Sequence, residues 1–146
     1  MPSSTEFPFR HRLRVRWAEV DQQGVVFNGH YLTYFDIGIF EYWRAAGVAY
    51  PDCVGTMGAD LFVVKTLVNY HAPAEYDNWL DVAVRIVRLG NSSITYALEI
   101  WRADQRIISG EVVYVTADPV QRKSVPIPAL LRDAVINFQG DPGVAG

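Results

Sequence analysis

The chain has 146 residues, of which 50% are hydrophobic and 20% are charged, and its formal net charge is −3. Such a length is typical of one domain, and the composition is too apolar for intrinsic disorder. The slightly negative charge gives no reason to expect nucleic acid as a partner. A lone cysteine, Cys53, excludes an internal disulfide and a zinc site built from several cysteines. We expect one domain over residues 1–146, with loose ends at 1–7 and 140–146.

The sequence carries no signal for a membrane or for export. No apolar run reaches the ~18 residues that a membrane helix needs. The first residues lack a basic region followed by an apolar region, which a secretory leader would have. We therefore expect a cytoplasmic protein without a membrane span.

The first half of the chain predicts a strand followed by a central helix. Residues 9–17 alternate strictly, and one face holds only arginines, which we expect to pair with carboxylates on a neighbouring strand: Arg10, Arg12, Arg14 and Arg16. After a loop, residues 29–46 form an apolar segment that Gly47 closes, as expected for a helix with Arg44 in its last turn. This helix is apolar almost all round, so it needs cover on most sides.

The second half predicts four strands and a short helix. Residues 60–71 form a near-continuous apolar run, which favours a strand buried on both faces or at a subunit contact. Alternating runs at 80–87 and 94–101 flank a Gly-Asn turn, a third run covers 106–118, and a helix is predicted near 128–138. The predicted fold class is α+β, with a five-stranded antiparallel sheet around the central helix. One sheet covers only one side of that helix, so we expect a second copy to complete the burial.

An acidic residue, Asp21, lies in the loop just ahead of the predicted helix, with Gly24 between them. Unpaired N–H groups in the first helical turn suit a carbonyl oxygen that becomes an oxyanion. Asn28 suits the N-cap position of this helix. A lone Asp in a loop is equally typical of a residue that caps a turn. The spacing alone leaves the catalytic and the structural interpretation of Asp21 open.

The run DQQGVVFNGHYLTYF at 21–35, followed by an aromatic helix and Ala-Ala-Gly, resembles the signature of hotdog-fold acyl-CoA thioesterases of the 4-hydroxybenzoyl-CoA thioesterase type. The resemblance extends to the apolar strand at 61–71 and to the turn RLGNSS at 88–93. It implies a hotdog domain assembled as a homodimer or dimer of dimers, with the active site at the subunit boundary. It also implies hydrolysis of an acyl-CoA thioester to a carboxylic acid and free coenzyme A, without a cofactor.

The resemblance also assigns roles to individual residues. In that family the acid matching Asp21 is the catalytic carboxylate, and backbone amides matching Phe27 and Asn28 polarise the thioester carbonyl. Positioning of the substrate is expected around Gly24, Val26, Phe27, Asn28, His30 and Tyr31. Contacts to coenzyme A are expected from Arg88, Ser92 and Arg122. Relatives often carry His or Tyr at the place of Asn28 and Asn at that of His30, so these side chains differ from the family pattern.

Several alternatives stay open at this point. Asp21 either activates water as a general base or attacks the thioester directly, and Asp36 in the central helix is a second candidate acid. Glu41 is expected to pair with Arg44. Three scattered histidines predict no metal site. Nothing beside Cys53 in the sequence would activate its thiol as a nucleophile.

Two other functions compete with hydrolysis. A binding module for acyl-CoA or an acyl carrier would keep the pocket without turnover. A hotdog enoyl-CoA hydratase would carry Asp-x-Asn-Pro-x-His, with Asp and His five residues apart. In this chain Asp21 and His30 are nine residues apart and no Asn-Pro follows the acid, which disfavours the hydratase.

Overall fold

The protein is described by a computed structural model over residues 7–142. Of the predicted loose ends, residues 1–6 and 143–146 lie outside the described residues. Five strands form one antiparallel sheet in the order β1-β3-β4-β5-β2: β1 (Phe9–Arg14), β2 (Asp60–Tyr70), β3 (Trp79–Leu89), β4 (Ser93–Arg102) and β5 (Gln105–Ala117). Three helices accompany it: α1 (His30–Ala45), α2 (Cys53–Met57) and α3 (Ala129–Gln139). The predicted α+β class is confirmed, whereas the short helix α2 was not predicted.

The central helix α1 lies against the inner face of the sheet. At Gly38 the helix comes so close to β3 that a Cβ atom would lie 2.5 Å from Cγ1 of Val82. In β5, a Cβ atom on Gly110 would lie 2.7 Å from the ring of Phe35. Since packed carbon atoms need about 3.5–4.0 Å, these two glycines permit the close contact of helix and sheet.

Most of the aromatic residues of α1 are buried in the core, as predicted. Tyr34, Tyr42 and Trp43 are each at most 1% exposed, and the indole N–H of Trp43 donates to the hydroxyl of Tyr96 at 3.0 Å. The other side of the helix faces away from the sheet and leaves Leu32 47% exposed. The helix is therefore covered on one side only, as expected for a single sheet. None of the helices within residues 7–142 is long and apolar enough to cross a membrane.

Two of the three arginines of β1 pair with carboxylates, and the partner of Arg10 lies on the neighbouring strand β3, as predicted. Arg14 binds Asp77 at 2.6 Å and Arg10 lies 3.7 Å from Asp81. The guanidinium groups of Arg12 and Arg14 stack on the ring of Trp79, 4.6 and 4.9 Å from its centroid. The strand ends at Arg14 and not at residue 17, because residues 17–19 form a 3-10 turn.

Strand β2 lies at one edge of the sheet, where it pairs only with β5. Its apolar side chains stay open to solvent, with Val63 58%, Val64 61% and Leu67 48% exposed. The expectation of a strand buried on both faces is therefore wrong for the single chain, since neither the outer edge nor the outer face of β2 is covered by any described residue. The alternative, a subunit contact, stays a prediction.

Candidate active site

The loop that carries Asp21 is a tight hairpin. The N–H of Asp21 donates to the carbonyl of Val25 at 2.9 Å, and the N–H of Gly24 donates to the carbonyl of Asp21 at 3.0 Å. Val20 and Val26 form a bridge that closes the hairpin. Gly24 has a φ of 81°, a conformation that glycine adopts without steric cost. The predicted site residue Gly24 is thus explained by the turn.

Only one of the two carboxylate oxygens of Asp21 accepts a hydrogen bond from the described residues. Its Oδ1 accepts the N–H of Gln23 at 2.8 Å, which is the capping interaction that loop acids commonly make. Within the described part of the chain, Oδ2 accepts no hydrogen bond. One oxygen therefore fixes the side chain, and the other is available for a proton or for a carbonyl carbon.

An open cavity of about 610 Å³ lies beside Asp21. Two of its lining side chains, Trp17 and Tyr76, are 72% and 51% exposed, and their rings meet edge to face with centroids 5.3 Å apart. Exposed aromatic rings of this size are typical of binding surfaces. The cavity thus combines a carboxylate with an aromatic wall.

Of the backbone N–H groups just before α1, some donate hydrogen bonds to other segments and others donate none within the described residues. The N–H of Val26 donates to the carbonyl of Ala74 at 2.8 Å, and the N–H of Phe27 donates to the carbonyl of Glu19 at 3.0 Å. Across residues 7–142, no hydrogen bond engages the N–H groups of Asn28 and Gly29. Of the two amides expected to bind an oxyanion, that of Phe27 is occupied and that of Asn28 is open.

The side chains around this turn differ from the expectation. The N-cap of α1 is Gly29, and no side chain caps it, so the prediction of Asn28 as N-cap is wrong. The helix starts one residue later than the Asn28 side chain would require. His30 is the first helical residue, and its ring packs edge to face on Phe27 with centroids 5.9 Å apart.

A second cavity, of about 300 Å³, is lined by Asn28, Tyr31 and Tyr70 among others, whereas Asp21 lines the larger cavity described above. The hydroxyl of Tyr31 accepts the N–H of Ala74 at 3.0 Å, and that of Tyr70 donates to the carbonyl of Asn28 at 3.4 Å. Burial raises the pKa of Tyr31. The buried phenol therefore anchors the segment after β2 to α1, as a neutral group.

Asp36, the second candidate acid, lies in a separate cavity of about 340 Å³ between α1 and the strands β2 and β5. Its Oδ1 accepts the hydroxyl of Tyr114 at 2.9 Å. Burial raises the pKa of Tyr114, and the charge of Asp36 raises it further. Glu41 pairs with Arg44 at 3.3 Å, as predicted.

The expected contacts to coenzyme A lie at the opposite end of the sheet. Arg88 and Ser92 flank the turn between β3 and β4, and the guanidinium of Arg122 lies 5.8 Å from the ring centroid of Phe62, near the start of β2. The hairpin of Asp21 is attached near Ala74, ahead of β3. Arg88 lies nine residues after Trp79, the first residue of β3. Nine residues of a strand span roughly 30 Å. One chain therefore does not bring these groups together with Asp21.

Sequence reasoning missed Glu19, a carboxylate that is 6% exposed and lies two residues before Asp21. It accepts hydrogen bonds from Arg16 and from Tyr34. One sequence feature could have identified Glu19: it lies three residues after Arg16, which is the spacing of a helix capping box. Arginine is, however, an unusual first residue for that motif.

No cluster of three or more His, Cys, Asp or Glu side chains that could hold a metal ion occurs among the described residues. Cys53 is a free, buried thiol, and burial raises its pKa.

The family model of the thioesterase superfamily matches residues 23–109, more than half of the chain. The acyl-CoA thioester hydrolase YbgC of Escherichia coli O6:H1 is 27% identical over 122 residues, which cover 82% of this chain and 90% of that protein. A 1,4-dihydroxy-2-naphthoyl-CoA thioesterase from Synechocystis superimposes with a TM-score of 0.83 at 19% identity, covering 91% of this chain and 98% of its own. A thioesterase from Thermus thermophilus, solved with coenzyme A and zinc, gives a TM-score of 0.80 at 24% identity, covering 94% and 98%. The chain therefore belongs to the thioesterase superfamily and has its hotdog fold.

Proposed function

We propose that the protein hydrolyses acyl-CoA thioesters to a carboxylic acid and free coenzyme A, with Asp21 as the reacting carboxylate. The observation that carries this proposal is the hairpin that runs from Asp21 directly into α1. Among the described residues, one carboxylate oxygen of Asp21 accepts no hydrogen bond, and seven residues later the N–H of Asn28 donates none. The name of YbgC and the coenzyme A held by the Thermus protein support the substrate class.

The chemistry needs few groups, because a thioester carbonyl is electrophilic and a thiolate leaves readily. The amides of Asn28 and Gly29 at the positive end of α1 would hold the carbonyl oxygen as it becomes an oxyanion. Asp21 would then take a proton from water as the water oxygen bonds to the carbonyl carbon. Collapse of this adduct breaks the carbon–sulfur bond and releases the thiolate of coenzyme A. Alternatively, Asp21 attacks the carbonyl carbon itself, and water opens the resulting anhydride.

The working unit in this proposal is a homodimer, alone or within a dimer of dimers. The exposed edge and apolar side chains of β2 suit antiparallel pairing with a second copy. A two-fold axis at mid-strand would place the start of the partner's β2 beside Tyr70, at the end of this chain's β2. The partner's Phe62 and Arg122 would then lie next to Asn28, and the cations expected to contact coenzyme A would come from the second subunit. A cytoplasmic location stays a prediction.

The test is replacement of Asp21 by Asn, which keeps an oxygen to accept the N–H of Gln23 but removes the charge. We expect turnover to fall by about 10²–10⁴, the usual contribution of an acid–base group. Release of free thiol from short, long and aromatic acyl-CoAs measures turnover, and the melting temperature reports on the fold. Asp104→Asn, at an exposed acid in the β4–β5 turn, is the matched control.

Two outcomes would contradict the proposal. Wild-type turnover in Asp21→Asn would exclude Asp21 as the reacting carboxylate. Binding of acyl-CoA by the wild type without release of thiol from any substrate would identify a binding module instead.

A further inference from the structure

Glu19 is a buried carboxylate that connects three parts of the molecule. Its Oε1 accepts the N–H of Arg16 and the hydroxyl of Tyr34, both at 2.8 Å. Its Oε2 accepts the guanidinium of Arg16 at 3.1 Å. Arg16 follows β1 and Tyr34 lies in the second turn of α1. One side chain thus ties the end of the first strand to the central helix.

The backbone of Glu19 makes a second connection. Its carbonyl accepts the N–H of Phe27 at 3.0 Å, the residue immediately before Asn28. Glu19 also precedes the Asp21 hairpin by only one residue, Val20. Both ends of the segment that carries the acid and the open amide are therefore attached to Glu19.

The surroundings favour the charged form of this side chain. Burial alone would raise the pKa of Glu19, but the N–H of Arg16, the hydroxyl of Tyr34 and the guanidinium of Arg16 together hold it below its ordinary value of 4.5. At neutral pH the carboxylate acts as an acceptor at both oxygens. It has no proton to give, and its oxygens point into the protein, so it does not compete with Asp21 for water.

We propose that Glu19 is a positioning residue of the hydrolytic site: by holding α1 and the Phe27 amide, it fixes the distance between Asp21 and the amide of Asn28. The inference rests on the proposed function. Catalysis by an acid and a separate oxyanion donor depends on their relative position, and a displacement of about 1 Å can reduce the rate by roughly 10². Glu19 therefore acts through geometry, without contact to the substrate.

Glu99 in β4 is a second buried glutamate with similar contacts, so it can serve as a control for Glu19. Glu99 in β4 is also 6% exposed, also binds an arginine (Arg106, 3.1 Å), and also accepts a hydrogen bond from an aromatic side chain (Trp101, 3.0 Å). Among the described residues, the side chain of Glu99 makes no hydrogen bond to the hairpin or to α1. Replacement of Glu99 therefore removes a similar buried network without displacing the proposed site.

The experiment compares Glu19→Ala, Glu19→Gln and Glu99→Ala for kcat, KM and melting temperature. We expect Glu19→Ala to lower kcat by about 10² with KM changed less than about threefold, as expected for displaced reacting groups. Glu19→Gln keeps an oxygen for the Arg16 N–H and the Tyr34 hydroxyl, so it should restore most of the lost kcat. Glu99→Ala should lower the melting temperature by a similar amount and leave kcat within about twofold of wild type.

A double variant separates positioning from general damage to the fold. In the Asp21→Asn background, Glu19→Ala should cost far less kcat than in the wild type, because there is no longer an acid to position. A purely structural role would lower the active fraction equally in both backgrounds. If Glu19→Ala does not fold, Tyr34→Phe, which removes one hydroxyl from the network, replaces it in the same two backgrounds.

Equal losses in both backgrounds, or a loss of kcat in Glu99→Ala as large as in Glu19→Ala, would overturn the positioning role. These results leave the proposed function intact as long as Asp21→Asn abolishes turnover. Wild-type turnover in Asp21→Asn would instead overturn the proposed function itself.

Discussion

The two ends of the sheet use their polar groups differently. At the end where α1 begins, one oxygen of Asp21 and the N–H of Asn28 are without a hydrogen bond among the described residues. At the opposite end, the carboxylate of Asp118 accepts two backbone N–H groups at 2.8 Å each, which lowers the pKa of Asp118, and Thr116 donates to the carbonyl of Val125 at 2.8 Å. The carboxylate of Asp118 is thus held by two backbone N–H groups, both on Oδ1, and that of Asp21 by one.

The two ends also differ in the roles proposed for them. Arg88 and Arg122, which are proposed to contact coenzyme A, lie at the end opposite to Asp21. A two-fold copy paired along β2 would bring one end of each subunit against the other end of its partner. In the proposed dimer, each complete site would combine the two different ends of two chains.

After Asp21→Asn, the largest expected effect comes from removing the open amide of Asn28. Asn28→Pro deletes the N–H that would bind the oxyanion, and proline is tolerated at the entry to a helix. We expect turnover to fall by about 10²–10³, the usual cost of one oxyanion donor. Asn28→Ala keeps the N–H and should stay within about tenfold of wild type. Thiol release and melting temperatures of the two variants provide the measurement, and equal turnover in both would show that this amide binds no oxyanion.

A charge on the exposed edge should separate the two chains. Val63→Asp places a carboxylate where β2 would meet its copy, and an uncompensated buried charge costs about 3–5 kcal/mol. We expect dimer affinity to fall by about 100-fold or more, with turnover falling at concentrations where monomers dominate. Sedimentation and thiol release measured at the same concentrations test this. Val120→Asp, at a residue that is 87% exposed in the turn after β5, is the control. A Val63→Asp protein with wild-type mass and turnover would exclude this interface.

The smallest expected effect concerns the cations. Arg122→Ala should raise KM for acyl-CoA by about three- to tenfold, since one charge-assisted hydrogen bond contributes roughly 1.5–3 kcal/mol at most and is weakened at an exposed site. The value of kcat should stay within about twofold, because the phosphates lie far from the thioester. Arg12→Ala, which removes an exposed arginine stacked on Trp79, is the control. An unchanged KM in Arg122→Ala would exclude this residue from coenzyme A binding.

Much of the fold was predictable because its signals are local. Alternation of apolar and polar residues predicted β3, β4 and β5, and the apolar segment closed by Gly47 predicted α1. The short helix α2 lacks such periodicity within its five residues. For β2, burial on both faces within one chain was predicted wrongly and a subunit contact stays a prediction, since an apolar run does not reveal whether its neighbour is a strand of the same chain or of another.

The candidate site was predictable in part for the same reason. Asp21 and Asn28 lie in one continuous segment, so the sequence places them together at the start of α1. The amides of this segment all look alike in the sequence, whereas in the fold that of Phe27 is taken by Glu19. Arg88 and Arg122 could not be placed relative to Asp21, because their distance depends on the direction of the strands between them.

The order of the elements, the apolar central helix and the acid ahead of it could be predicted from the sequence, since each follows from residues that are neighbours along the chain. The free backbone groups, the exposed edge of the sheet and the residues that share an end became known from the three-dimensional fold. Hydrogen bonds between distant segments occupy some backbone donors and leave others free. The local pattern of residues does not show which donors will be occupied.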